Sequence, residues 1–196
     1  MKIITKNAFY EQNIQKSRFL AFSYYVKTEQ EAIKYIKDLE NKYCDCRHVV
    51  YAYKIGENIE KKGNSSEPAG TAGTPIFLCI KNNDLTNVLI VVVRYFGGVL
   101  LGAQNLYRAY LTSASNVLEL SNIVEQKQYN VCSVVCDYAT YSKLQDTADK
   151  YNKIKLLDVA FNQEITIKIA FQKEDDSKEL KALILKQNPK VEKVWL

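Results

Sequence analysis

Val88-Leu-Ile-Val-Val-Val-Arg94 is the stretch from which the fold of this chain is read. It is a continuous apolar run rich in β-branched residues, the pattern of a strand buried on both faces. It leads into Tyr95-Phe96-Gly97-Gly98, then Leu101-Gly102, then a helical stretch beginning near Ala103. A buried strand, a glycine turn and a helix start bring unpaired backbone N–H groups and the positive end of a helix together. That geometry favours an anion or a closely approaching partner. Arg94 at the strand end and Arg108 on the second helical turn add positive charge. Six of the seven glycines lie from Gly63 to Gly102, with Pro68 and Pro75 among them, so the special backbone of the chain is concentrated here.

Gly97 to Gly102 has the glycine spacing of a nucleotide-binding P-loop. Ala103-Gln104 follows it, however, where the phosphate lysine and the metal-binding hydroxyl would be required. No G-x-G-x-x-G occurs either. ATP or GTP hydrolysis of that type is not expected. The simpler reading is a glycine-lined turn that lets the next helix pack tightly on the sheet.

On the N-terminal side, residues 8–26 read as two extended segments, the second being Arg18 to Val26. Thr28 opens a helix with Glu31 three residues on, and Ala32, Ile33, Ile36, Leu39 and Tyr43 recur at helical spacing as its buried face. His48 to Lys54 alternates like a strand and stops at Gly56. Residues 57–73 are polar and glycine-bearing and are expected to form a long loop, of the kind that is functional or mobile. Thr74-Pro75 has the form of an N-cap followed by proline in the first turn, starting a short helix through Ile80. The helix from about Ala103 to Leu120 presents Leu106, Tyr110, Ala114, Val117 and Leu118 on one face.

Residues 121–128 are polar and are expected to be the connection between two domains, 1–123 and 128–196. Beyond them the pattern is regular: strand 129–136, helix 138–151, strands 153–160 and 164–171, helix 176–187 stopped by Asn188-Pro189, and strand 191–196. That order is β-α-β-β-α-β, the ferredoxin-like arrangement. Val131-Cys-Ser-Val-Val-Cys136 lacks the aromatic residues an RNA-binding sheet of this kind needs, so this face is not expected to bind RNA.

At 196 residues, 47% hydrophobic and 25% charged, the chain has the make-up of a globular protein of one large or two small domains. No apolar run reaches the length of a membrane helix, and the N-terminus has no signal-like apolar core. A cytoplasmic location is the resulting expectation. Five scattered cysteines do not form a disulfide framework. Cys44 and Cys46 have no second pair to complete a zinc site, so no metal or other cofactor is expected. The net charge of +5 divides into about +3 for residues 1–125 and about +2 for the rest, which tolerates nucleic acid without demanding it.

The chemistry-bearing residues are few. His48 is the only histidine, and any histidine-based mechanism must use it. Glu67 is the only carboxylate in the glycine-rich loop 64–73, and without a second acid nearby in sequence a carboxylate-pair hydrolase has no support. Lys16, Arg18, Arg47, Arg94 and Arg108 with the glycine backbone suit a phosphate-rich partner. Tyr51, Tyr95 and Phe96 suit stacking on unpaired bases; the competing reading has these aromatics in the core and the cations solvated.

Ser66-Glu-Pro-Ala-Gly-Thr-Ala-Gly73 and Val92-Val-Arg-Tyr-Phe-Gly-Gly-Val-Leu-Leu-Gly102, followed by Leu106-Tyr-Arg-Ala-Tyr110, closely resemble the signature of the IMPACT family. In that family a string like DDGEPSGTAGKP precedes VVRYFGGIKLGTGGLVRAY. Lys16-Ser-Arg-Phe19, Arg47-His48 and Tyr51-Ala-Tyr53 also resemble family positions, so the likeness spans about residues 15 to 120. The chain departs from the pattern at Asn64-Ser65-Ser66, at Leu100 and at Ala103-Gln104-Asn105, losing an acidic pair, a lysine and two glycines.

The resemblance implies an α+β protein of two α/β two-layer domains. The first would have the ribosomal-protein domain-2-like fold and the second the ferredoxin-like fold of the last domain of elongation factor G. Eukaryotic relatives act in translational control, which implies a non-enzymatic regulator binding RNA, the ribosome or a translation-factor protein. The alternatives are an enzyme acting on a phosphorylated or peptide-like substrate at the same site, and a purely protein-binding adaptor. The expected binding surface comprises Arg18, Arg47, His48, Glu67, Gly70, Thr71, Gly73, Arg94, Tyr95, Gly97, Gly98, Gly102 and Arg108, with no catalytic residue assigned.

Overall fold

The computed structural model describes residues 1–151, 154–162, 164–172, 178–187 and 189–195. The chain divides into two compact units, Met1–Glu125 and Gln126–Leu196. Both mix helices with antiparallel sheets, as the α+β class requires.

In the first unit, β1 (Lys2–Ile4) precedes β2 (Ala8–Ile14), β3 (Ser17–Tyr25), α1 (Glu29–Lys42), β4 (His48–Ile55) and β5 (Ile59–Gly63). Then come α2 (Gly73–Asn82), β6 (Val88–Tyr95), α3 (Ala103–Glu119) and β7 (Ile123–Glu125). A five-stranded sheet has the order β2-β3-β6-β4-β5, with every neighbouring pair antiparallel. The apolar run is therefore the middle strand. Val88, Ile90 and Val92 pack into the core beneath α2 and α3 with Ile76, Ile80, Leu106 and Tyr110. Leu89, Val91 and Val93 point the other way, into the core closed by Ala32, Ile36 and Leu39 of α1. α1 thus adds a layer on the face that a two-layer arrangement would leave open, and this is why β6 carries no polar alternation.

Local signals account for most element ends. Thr28 caps α1: its Oγ1 accepts from Glu31 N–H at 3.2 Å, and the Glu31 carboxylate accepts from Lys27 N–H at 2.7 Å. Ile33, expected on the buried face, is exposed, because Ala32, Ile36 and Leu39 already fill the stripe that α1 turns to the sheet. Asn83 and Asn87 end α2 and begin β6, with Asn87 in the left-handed region at φ +53°.

Three readings of the sequence are corrected. Residues 57–73 are not one loop: after a turn at 56–58, β5 pairs with β4, and 64–72 remain irregular. α2 begins at Gly73 rather than after Thr74, and Asn64, nine residues back, accepts the Gly73 N–H at 2.7 Å. Residues 121–128 are not simply a polar connection. β7 pairs there with β1, Ile3 opposite Val124, and Ser121 is buried. Ahead of the two extended segments read from residue 8, residues Lys2–Ile4 supply β1, and Ile4 is fully buried.

The second unit runs β8 (Gln128–Cys136), α4 (Tyr138–Tyr151), β9 (Ile154–Phe161), β10 (Ile165–Phe171), α5 (Lys178–Gln187) and β11 (Glu192–Trp195). Its antiparallel sheet has the order β11-β8-β10-β9, the ferredoxin-like arrangement expected from the element order. Cys132, Val134 and Cys136 share one face of β8 and pack with Leu144, Ile165, Ile167 and Ile169. Both cysteines are core residues, as their even spacing implies. Of the expected boundaries, Lys153, residues 176–177, Asn188 and Leu196 lie outside the described residues.

Candidate functional site: a buried ion pair beneath an open cavity

Strand register assembles the site. Arg94 lies directly opposite His48 on β4 and opposite Phe19 on β3. It continues the Val88, Ile90, Val92 face, so its side chain enters the α2 and α3 side of the sheet where the apolar core ends. Arg94 is only 5% exposed. Its guanidinium lies 5.5 Å from the ring centres of both Phe19 and Phe96.

Burying a guanidinium requires a partner, and Glu67 supplies it. The loop 64–72 folds on itself, with Glu67 N–H donating to Asn64 C=O at 3.1 Å and Thr71 donating to Pro68 C=O from both N–H and Oγ1. This turn drops Glu67 into the sheet end while Ser66 stays exposed. Glu67 Oε1 accepts from Arg94 at 2.7 Å and from the Tyr110 hydroxyl of α3 at 2.8 Å. Burial, reinforced by that carboxylate, pushes the Tyr110 phenol far up, so it stays a neutral donor. Arg94 also donates to Ser17 Oγ at 3.3 Å, and its Nε is buried without a hydrogen-bond partner among the described residues.

His48 completes the cluster. Ser66 Oγ lies 3.0 Å from its Nδ1 and Glu67 Oε1 lies 3.7 Å from its Nε2. Consecutive residues of one loop thus flank the two ring nitrogens. Burial lowers the His48 pKa; Glu67 opposes that, while Arg94 and Arg47 add to it. The imidazole is therefore neutral at pH 7, and when Nε2 carries the proton Nδ1 is free to accept from the Ser66 hydroxyl.

Above the ion pair lies a cavity of about 450 Å³. Arg47, His48, Ser66, Glu67 and Arg94 form its polar side, and Phe96, Leu100, Leu101 and Leu106 its apolar side. Gly102 and Ala103, at the N-terminus of α3, also line it. Gly102 is the α3 N-cap at φ +75°, and the first turn of α3 has neither a side-chain cap nor an acidic residue. The turn before it is pinned from below. A Cβ on Gly97 would stand 1.9 Å from Lys16 C=O, so only glycine fits, and Gly97 N–H reaches Ser17 Oγ at 3.4 Å. Leu100 is 87% exposed at the tip of the turn, with Val99 beside it at 38%.

Of the residues singled out from sequence, the cavity gathers Arg47, His48, Glu67, Arg94 and Gly102. Gly70, Thr71 and Gly73 shape the loop that carries Glu67, and Gly97 and Gly98 shape the turn opposite. Arg18 is bound to Glu11 through two bonds of 2.7 and 3.0 Å, which raises its own pKa and lowers that of Glu11. Tyr95 donates to Asp45 at 2.7 Å, and that bond pushes its phenol up to about 12. Arg108 is exposed on α3 away from the cavity. Tyr51 packs over Gly63, where an added Cβ would come within 2.4 Å of its ring. Ser17, Asn64, Ser66, Leu100 and Tyr110 were not picked out from sequence as parts of the site. The signals lay in the single carboxylate of the loop, which needs a buried counter-charge, and in the tyrosine that closes the last signature segment. Among the described residues no group of three or more His, Cys, Asp or Glu could hold a metal ion, and no helix is long and apolar enough to cross a membrane.

A family model described as the Impact N-terminal domain matches residues 15–118, more than half of the chain and all of this cavity. The chain belongs to the IMPACT family. The IMPACT family member YvyE of Bacillus subtilis is 39% identical over 135 residues, which cover 68% of this chain and 62% of that relative. An IMPACT family member of Haemophilus influenzae is 28% identical over 168 residues, covering 83% and 81%. A crystal structure described only as that of a hypothetical protein matches 98% of this chain and 95% of its own, with TM-score 0.64 at 20% identity, which shows a shared fold.

Proposed function

We propose that this IMPACT-family protein is a cytoplasmic regulator of translation that binds a protein component of the ribosome or a translation factor through the glycine turn. Family membership supports the translational direction. The choice of a protein partner rests on the exposure of Leu100 and Val99 at the turn tip beside Arg47 and the α3 N-terminus. An exposed apolar tip beside an arginine suits a protein interface, whose buried core is more apolar than the rest of the surface and which favours Arg among the charged residues. A phosphate-binding surface needs several uncommitted cations. Here Arg94 is committed to Glu67 and Arg18 to Glu11.

Co-sedimentation with ribosomes from the protein's own cells, at low and moderate salt, tests this reading. The wild type is expected to travel with a ribosomal subunit or a factor-bearing fraction with shallow salt dependence, and Leu100→Ser to stay at the top of the gradient. A wild type that stays at the top at every salt refutes the ribosomal partner. Steep salt dependence that survives Leu100→Ser refutes the protein interface and favours contacts to RNA phosphates.

A further inference from the structure

We propose that Ser66, His48 and Glu67 act as nucleophile, base and positioning residue for acyl transfer, so that the cavity hydrolyses carboxylic esters or thioesters with an apolar acyl chain. This goes beyond the binding reading and does not depend on it. A nucleophile within hydrogen-bond reach of a base, with the base oriented by a third group, is the arrangement that covalent catalysis requires. Ser66 Oγ is 3.0 Å from His48 Nδ1, within hydrogen-bond reach, and Glu67 Oε1 is 3.7 Å from His48 Nε2, too long for a hydrogen bond, so that Glu67 acts on the ring through its charge. Arg94 and Tyr110 hold that same carboxylate oxygen, so Glu67 is a fixed point for the imidazole.

The burial pattern separates this cluster from an ordinary structural histidine. His48 and Glu67 are each 8% exposed, whereas Ser66 is exposed and lines the cavity. Of the three, Ser66 is the exposed one. Leu100, Leu101 and Leu106 give the same cavity an apolar wall for an acyl chain, and Arg47 gives it a cation for an anionic group on the substrate. Gly102 and Ala103 bring the uncapped start of α3 to the cavity, where its positive end favours the charge that develops on an acyl oxygen.

In the first step Ser66 Oγ bonds to the carbonyl carbon and its proton passes to His48 Nδ1. Collapse of the tetrahedral adduct breaks the bond to the alkoxide or thiolate, which leaves with the proton from His48. Water then attacks the acyl-serine, giving a proton to His48, and the Ser66 oxygen takes that proton as the carboxylic acid departs. No oxidant, metal or further reactant enters.

The full chain is incubated with an alkyl fluorophosphonate, which bonds to an activated serine with loss of fluoride. Adduct formation is followed by intact mass and mapped by peptide analysis, with p-nitrophenyl butyrate turnover measured in parallel. A single adduct at Ser66 is expected, absent in Ser66→Ala, with turnover in that variant reduced by about 100-fold or more. Ser66 is exposed, so this variant keeps the fold. His48→Gln is expected to slow labelling by about 100-fold, and Ser65→Ala to stay within about twofold of wild type. The labelling rate should rise with pH as His48 loses its proton, with a midpoint below 6.5, since burial, Arg94 and Arg47 outweigh Glu67 around the ring. A folded wild type that gives no adduct at Ser66, or ester turnover equal in wild type and Ser66→Ala, overturns the proposal. Neither result touches the ribosome reading, which co-sedimentation decides.

Discussion

Replacing Arg94 with Met tests the central claim that this arginine is a structural counter-charge rather than a phosphate ligand. Met fills most of the volume and keeps contact with Phe19 and Phe96, so the change is chiefly electrostatic. It strands the Glu67 carboxylate, whose side chain is 3% exposed, with the Tyr110 hydroxyl as its remaining close donor. Breaking a buried pair from one side costs about 3–5 kcal/mol. For a unit of this size that corresponds to a melting temperature lower by roughly 10–20 °C.

The pH dependence makes the prediction sharper. In the wild type the His48 pKa is depressed below 6.5, so the ring contributes stability above that pH which is lost as the pH falls. In Arg94→Met one cation facing His48 is gone, Arg47 remains and Glu67 is unopposed by its own partner, so the His48 pKa rises. If it passes 6.5, the ring's contribution is fully present below that pH and fades as the pH rises through the new value. The stability gap between the two proteins should therefore narrow from pH 8 to pH 5.5.

Urea unfolding followed by far-UV circular dichroism reads the gap. Hydrogen exchange by mass spectrometry on β6 and α3 peptides assigns it to the first unit. The single tryptophan, Trp195, belongs to the second unit and would report the wrong transition. A loss below about 1 kcal/mol at pH 8, or a gap that widens toward pH 5.5, refutes the reasoning. The double variant Arg94→Met/Glu67→Gln should recover most of the loss, because Gln keeps an acceptor for Tyr110 without the stranded charge.

Two other substitutions probe the backbone that frames the cavity. Gly97→Ala should cost about 1–3 kcal/mol or more, seen as a lower urea midpoint, since its Cβ would sit 1.9 Å from the Lys16 carbonyl oxygen, a backbone atom that no rotamer change can move. A variant as stable as wild type would mean that the turn and the β2–β3 hairpin part easily. Asn64→Ala removes the side-chain acceptor from the Gly73 N–H and should cost about 1 kcal/mol, with faster exchange confined to the first turn of α2. Unchanged exchange there would show that the bond contributes nothing to the helix start.

What could be read from the sequence followed from how local each signal is. β6 was legible because burial on both faces leaves a continuous β-branched run, and α1 because Thr28 and Glu31 announce its start. Both ends of α4 agree with the residues expected, Tyr138 and Tyr151. β5 was not legible. Ile59-Glu-Lys-Lys-Gly63 is an exposed edge strand whose only evidence is its pairing with β4, and pairing leaves no apolar alternation when neither face is buried. β1 and β7 are three residues each and meet across more than a hundred positions of chain, so neither segment carries the signal alone.

The site was legible as residues and illegible as roles. Arg94, Glu67 and His48 were each identifiable as unusual, but their meaning depends on distances that sequence separation hides, 27 residues between Arg94 and Glu67 and 43 between Glu67 and Tyr110. Counting Arg94 as a free cation reverses its function: it neutralises the loop carboxylate and so permits Glu67 to be buried against His48. Glu67 in turn orients the ring that meets Ser66. That order of dependence makes the arginine the foundation of the site and the exposed serine and leucine its working surface, which is why perturbing Arg94 should move stability while perturbing Ser66 or Leu100 should move chemistry or binding alone.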